Sequence, residues 1–402
     1  MTTTTSDPTH TAYAQNPFDD TALHERWNKK LGEGAFRSPY EGTQSKPLSA
    51  RFTLQFNAAQ ASGKRCEHPK DSAVVQPFDV KRFNFTKVCE GEVLGHIDLE
   101  RQAGGWSTVT TRWAGTRGAT GAAVSGAEEL GAGDGNDDFS DGASPSSKLI
   151  VNVSPLTPGH FILVPFVRSR LPQVLTADAL LLALVLVQAS RRPDFRVTFN
   201  SLGAWASVNH LHLHGVYLDG VTQSGAFPAE LAVRRALVPG GRRCGRRWTL
   251  HMEETVDYPS PAIVLRLVYT SATGAGGGAD GDDNIAAGAS LVLRSAFAVV
   301  RELQRRDVPH NIVCGKSAFD APFCYEIFVF PRRAGTPGLD GALGVAAMEV
   351  AGHPVVRSDQ AAFDSMSCEV YEQHLADEVA LPCADYEALK VHLLCVIAAE
   401  LK

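Results

Sequence analysis

Apolar positions fall into short runs with period two, interrupted by a few stretches with helical spacing. Residues 92–97 read as a strand. Residues 149–153 and 161–164 are β-branched runs separated by Ser154-Pro155-Leu156-Thr157-Pro158-Gly159-His160, which is turn chemistry. They are expected to pair antiparallel. Thr176-Ala177-Asp178 opens an apolar run over 180–187, with Thr176 or Asp178 as the helix cap and an end before Pro193. Residues 195–199 alternate as a further strand, and residues 208–218 alternate strictly. The second half repeats this grammar. Residues 262–269 are strand-like, 290–305 form an amphipathic helix pattern with Leu291, Phe297, Val300 and Leu303 near one stripe, and 311–314 and 326–330 are strands. A last helix runs from about Ala384 to Leu401. Strand, strand, helix, strand, strand in both halves predicts an α+β protein, an antiparallel sheet with flanking helices.

Two stretches break the pattern. Residues 103–147 and 271–289 are rich in Gly, Ala, Ser and Asp and show no apolar period, so both are expected to be surface insertions without a core of their own. Residues 1–25 are polar and Thr-rich at their start and are expected to be disordered.

Composition narrows the class. The chain has 402 residues, 44% hydrophobic and 20% charged, which is enough for one large core or two ordinary ones. A formal charge of -6 supplies no basic field for nucleic acid or membrane. The eight cysteines contain no C-x-x-C pair, so free buried thiols in a reducing compartment are expected. The first twenty residues have neither a basic nor an apolar signal region, and no apolar run approaches the roughly 20 residues of a membrane span. The expected location is the cytoplasm.

The chemistry concentrates in one segment. His210, His212 and His214 stand two apart, so a continuous strand would project all three from one face. Same-face imidazoles suit zinc ligation, or attack on an α-phosphorus by the middle ring, or a buried polar strand; the three histidines alone leave these open. Ser207 and Asn200 lie just upstream and are neutral donors suited to a phosphate rather than to zinc. Six arginines at 234, 235, 242, 243, 246 and 247 form a second polar feature, which raises a nucleic-acid reading that the missing aromatic platform and negative net charge oppose.

His210-Leu211-His212-Leu213-His214 resembles the signature of the histidine-triad (HIT) superfamily of nucleotide hydrolases and transferases. Phe85-Thr86-Lys87-Val88-Cys89-Glu90-Gly91-Glu92 resembles the opening strand of such a domain, and the segment from Asn152 to Pro165 resembles its Gly-His hairpin. Phe36-Arg37, Leu171-Pro172-Gln173, Phe199-Asn200-Ser201-Leu202-Gly203, Pro309-His310-Asn311-Ile312, Phe330-Pro331-Arg332 and Glu349-Val350-Ala351-Gly352-His353 extend a narrower resemblance to the GDP-D-glucose phosphorylase family, relatives of plant GDP-L-galactose phosphorylases.

That resemblance implies a HIT-like catalytic half over 26–220 and a second HIT-like half over 221–402. It implies the conversion of GDP-glucose and phosphate to GDP and glucose 1-phosphate through a guanylyl-histidine. His212 would be the nucleophile. His210, His214 and Ser207 would complete the catalytic set, with Asn200 as an added donor. Asn152 would meet the ribose, His160 would point into the site, and Phe85 and Val88 would wall the base. Arg332 and His353 are candidates for the hexose. The partners implied are GDP-hexose and inorganic phosphate, with a homodimer as the candidate assembly, no membrane, no nucleic acid, no metal and no cofactor. A GDP-L-galactose phosphorylase and a HIT-type nucleotide hydrolase are the alternatives.

Overall fold

Period-two runs with one apolar face form strands that bury that face under helices, and the chain follows this rule over most of its length. The computed structural model describes residues 18–38, 40, 42–59, 73–101, 107–114, 146–244, 248–269, 283–317, 324–335, 343–357 and 359–400. In chain order the elements are α1 (Asp20–Gly32), β1 (Gln44–Pro47), β2 (Thr53–Asn57), β3 (Val93–Arg101), β4 (Ser107–Trp113), β5 (Ser147–Val151), β6 (Phe161–Val164), α2 (Ala177–Ala189), β7 (Phe195–Asn200) and β8 (Leu213–Tyr217). They continue with β9 (Arg234–Ala236), β10 (Arg242–Cys244), β11 (Trp248–Thr255), β12 (Ile263–Tyr269), α3 (Asp283–Arg305), β13 (His310–Lys316), β14 (Cys324–Pro331), α4 (Ala347–Val350), β15 (Val355–Arg357), α5 (Gln360–Ser365), α6 (Cys368–His374) and α7 (Cys383–Glu400).

Among the described residues, twelve strands make one sheet in the order β10-β11-β12-β14-β13-β7-β8-β6-β5-β3-β4, with β9 beside β11. Every pairing in it is antiparallel. The segment β5-β6-α2-β7-β8 pairs as β5-β6-β8-β7, and β11-β12-α3-β13-β14 pairs as β11-β12-β14-β13. The same topology thus occurs twice, and the copies meet where β7 pairs with β13. One sheet face buries Leu149, Val151, Phe161, Leu163, Val197, Phe199 and Leu213 in a core with α2 and α3. The alternate residues look the other way, and that face carries the site.

Five expectations need correction. Order begins before residue 26: Phe18 is fully buried and Asp19 caps α1. The Asp20 carboxylate accepts from Ser190 Oγ, Arg191 N and Tyr217 OH, each at 2.8 Å, which anchors the helix to the sheet. The stretch 103–147 contains β4, whose Val109 enters the core and whose Trp113 packs near Phe18 and Arg26. Its Thr-rich sequence hid a two-residue period; residues 115–145 lie outside the described residues. The second insertion lies largely outside them too, but α3 starts at Asp283 rather than near Ser290. Residues 85–92 form two 3-10 turns, Phe85–Lys87 and Glu90–Glu92, not a strand. Of the cysteines expected to be buried, Cys314 is buried, whereas Cys89, Cys383 and Cys395 are exposed.

Candidate active site

Strand register sets the floor of the site. Ile150 pairs with Ile162, Ile162 with His214, and His214 with Thr198, so one row crosses four strands on the face away from α2 and α3. These four residues line a pocket with Phe85, Asn152, His160, Asn200, Ser207, Val208 and His212. The opposite wall comes from the C-terminal half: Ala346, Ala347, Met348, Glu349 and Arg357.

The alternating histidine segment is not one long strand. β8 starts only at Leu213, and His210 to His212 lead into it irregularly. Gln173 explains the break. Its Oε1 accepts from His212 N at 2.9 Å, while its Nε2 donates to His212 O at 3.1 Å and to Asn200 O at 2.8 Å. The amide takes the hydrogen bonds that a continued β7–β8 ladder would have made, and it holds the two backbones apart at the pocket.

Hydrogen bonds fix the imidazole tautomers. His212 Nδ1 lies 2.8 Å from the carbonyl oxygen of His210, so Nδ1 carries the proton and Nε2 keeps its lone pair. His210 has the opposite tautomer, because its Nδ1 accepts from Phe85 N at 3.0 Å. The His210 ring packs 5.1 Å from Phe78 and 5.7 Å from Phe85, behind the pocket rather than on its wall. His160 accepts from Leu156 N at Nδ1, so its Nε2–H can donate to His214 Nδ1 at 3.0 Å. That leaves the His214 proton on Nε2. Asn152 is turned by Ser154 N, which donates to its Oδ1, and its Nδ2 lies 3.0 Å from His160 Nε2. Two donors face each other there, so the Asn152 amide has a donor for which a ligand oxygen is the natural acceptor.

Burial keeps these rings uncharged at neutral pH. It lowers His212 to about 4 and His160 to about 3. Burial, then the neighbouring His212 and Arg170, lower His210 to about 4. His214 is pushed well below its ordinary value by burial, then by His160 and His212. A neutral ring with a free Nε2 lone pair is the nucleophilic form of histidine.

Asn200 is oriented from the second half. Its Oδ1 accepts from Asn311 Nδ2 at 2.7 Å and from Ala347 N at 2.8 Å. A backbone N–H can only donate, so the amide orientation is settled and Nδ2 is the donor left over. Asn311 Oδ1 in turn accepts from Arg332 Nη1 at 3.0 Å. Arg332 is fully buried and also bonds the Val345 carbonyl, so it stands behind Asn200 and does not reach a hexose in the pocket. His353 is buried on Gln55 at 2.7 Å and is likewise off the pocket. Val88 packs in the small cluster beneath Phe85 without lining the pocket.

Ser207 lines the pocket half-buried. The sequence reading missed Trp205, which lines the pocket from a left-handed backbone at φ 73°. A bulky residue there is strained by about 1–3 kcal/mol, and such strain concentrates at functional sites. Gly344 admits its ring, since a Cβ there would lie 2.6 Å from the indole. The reading also missed Glu349 and Arg357 as wall residues. No sequence period links them to the histidines. The arginine cluster does not form one basic surface. Arg234 pairs with Glu326 and Glu253, Arg235 pairs with Glu254, and 246–247 lie outside the described residues. Among the described residues no helix is long and apolar enough to cross a membrane.

Fold and site together define an α+β protein with a pocket of neutral histidines and amide donors on the face of an antiparallel sheet opposite α2 and α3. A family model described as GDPGP1-like, N-terminal domain, matches residues 18–112 and 132–216. The bovine (Bos taurus) protein named GDP-D-glucose phosphorylase 1 is 31% identical over 391 residues, 95% of this chain and 84% of its own length. The human (Homo sapiens) protein of that name is 30% identical over 399 residues, 97% of this chain and 86% of its length. GDP-L-galactose phosphorylase 2 of Arabidopsis thaliana is 26% identical, covering 82% of this chain and 66% of its own. The chain belongs to the GDPGP1-like family. A solved structure of yeast Ap4A phosphorylase Apa2 with AMP superposes with a TM-score of 0.49 at 14% identity, over 90% of this chain and 96% of that one.

Proposed function

We propose that the protein is a GDP-D-glucose phosphorylase, a nucleotidyltransferase that works through a guanylyl-histidine at His212. The substrate follows from the names of its relatives across nearly the whole chain. The covalent route rests on one observation: the His210 carbonyl takes the Nδ1 proton of His212, which leaves Nε2 unprotonated at the pocket.

In the first half-reaction, Nε2 attacks the α-phosphorus of GDP-glucose. The N–P bond forms, the bond to the bridging oxygen breaks, and glucose 1-phosphate leaves with that oxygen. In the second, an unprotonated oxygen of inorganic phosphate attacks the same phosphorus. The N–P bond breaks and GDP leaves, which restores the neutral ring. Ser207, the Asn200 Nδ2 and the His214 Nε2–H donate to the oxygens that gain charge. Pre-aimed donors of this kind contribute about 3–4 kcal/mol each in comparable sites. Asn152 donates to the ribose, and Phe85 with Val208 walls the base.

Residues 26–220 and 221–402 act as two halves of one enzyme in this reading. The cytoplasm suits its exposed free thiols.

The test incubates the protein with GDP-glucose without phosphate and looks by mass spectrometry for an acid-labile guanylyl adduct, then adds phosphate. The expected result is adduct formation followed by release of GDP. His212→Ala is expected to lose more than about 10³-fold in rate. Turnover retained in that variant rejects the covalent route.

A further inference from the structure

Arg357 carries the one full positive charge on the pocket wall among the described residues. The wall has no lysine, its only carboxylate is Glu349, and its histidines are neutral. Glu349 is fully buried with both oxygens committed: Oε1 to Arg357 Nη2 at 2.6 Å and Oε2 to Ala346 N at 3.0 Å. Glu349 is therefore fixed between the Arg357 guanidinium and the Ala346 backbone, which holds that guanidinium in place on the wall opposite the histidines.

A diphosphate ester brings two negative charges into this pocket, and inorganic phosphate brings two more in the second half-reaction. Neutral donors near His212 suit the α-phosphate, and they give the entering phosphate no counter-charge. The leaving phosphate of the first step and the entering phosphate of the second must lie on the same side of the α-phosphorus, opposite the histidine nitrogen. Both steps therefore need one site for the phosphate that is not bonded to the nucleoside. A guanidinium held by a buried carboxylate is suited to this, because it is pre-oriented and can bond phosphate bidentately.

We propose that Arg357, steadied by Glu349, binds this second phosphate: the β-phosphate of the sugar nucleotide, then inorganic phosphate. The proposal rests on the guanylyl-histidine reading above. It makes Arg357 the residue that favours phosphorolysis over hydrolysis, because water attacking the adduct needs no cation and yields GMP in place of GDP.

The experiment has two stages. The first measures adduct formation from GDP-glucose in the wild type. The second adds inorganic phosphate over a concentration series to preformed adduct of the wild type, Arg357→Met and Arg357→Lys, and measures GDP against GMP. Arg357→Met is expected to raise the half-saturating phosphate concentration by about 10- to 100-fold and to shift product toward GMP. Arg357→Lys is expected to recover part of both. A purely structural role would slow adduct formation and GMP release alike and leave their ratio unchanged. Absence of an adduct in the wild type overturns the covalent reading and this proposal with it. An adduct whose GDP to GMP ratio and phosphate saturation are unchanged in Arg357→Met overturns this proposal alone. If Arg357→Met fails to fold, unchanged phosphate saturation in Arg357→Lys overturns it.

Discussion

The side-chain amide of Gln173 brackets the peptide of His212, accepting from its N–H and donating to its carbonyl oxygen. Gln173 is fully buried, so nothing else can satisfy those groups. Gln173→Leu leaves a buried N–H and two carbonyl oxygens without a partner. The expected loss of stability is about 2–4 kcal/mol, since each orphaned group costs about 1–3 kcal/mol and local relaxation recovers part. Urea unfolding checks it. Adduct formation should slow at least about 10-fold in the fraction that stays folded, because the ring loses its fixed position.

The neutral rings predict an unusual acid limb. The free-enzyme rate of adduct formation should stay flat below pH 6.5 and fall only toward about pH 4, where His212 protonates. A midpoint near 6.5 in single-turnover measurements with GDP-glucose would contradict the burial of this ring.

Stability should follow the same groups with a definite sign. His160, His210, His212, His310 and His353 all have folded values lowered by burial, to about 3 or about 4. Between pH 6.5 and those values the unfolded chain binds more protons than the folded one. The stabilisation is therefore complete above pH 6.5 and is lost as pH falls toward 4, with a limiting slope of about 1.4 kcal/mol per pH unit for each group. Urea midpoints at pH 7.5, 6 and 5 measure the trend. His310→Gln, away from the pocket, should flatten it.

Arg332 should act at a distance. Arg332→Met removes the donor to Asn311 Oδ1 and to the Val345 carbonyl, at a cost of about 3 kcal/mol in stability. It also loosens Asn311 and, through it, Asn200. Adduct formation is expected to slow about 10-fold while affinity for GDP, measured by calorimetry, changes less than 3-fold. Equal effects on both would place Arg332 in direct contact with ligand.

Much of this architecture is written in local pattern. The apolar periods locate β5 to β8, α2 and β12 to β14, since each has a buried face against one core, whereas β11 went unread. The motif around His210 to His214 points to the pocket, and the turn chemistry before His160 aims that ring into it. What escaped the sequence is non-local or non-periodic. β4 is polar and paired on one side only, so its alternation is weak. Gln173 interrupts the histidine strand through a side chain 39 positions away. The wall of Glu349 and Arg357 meets the histidines only because two similar sheets fuse, and no spacing in the chain encodes that meeting.

The seam between β7 and β13 has a practical consequence for anyone who would dissect the enzyme. It lies at the middle of the great sheet, with Asn200 opposite Asn311. Cutting the chain near residue 220 would turn two interior strands into raw edges, both nearly wholly buried along their length. Such edges pair with strangers, so a truncated fragment should precipitate rather than act as a smaller catalyst. The histidine-bearing portion, though it holds the signature by which it is known, would be an orphan without its sibling.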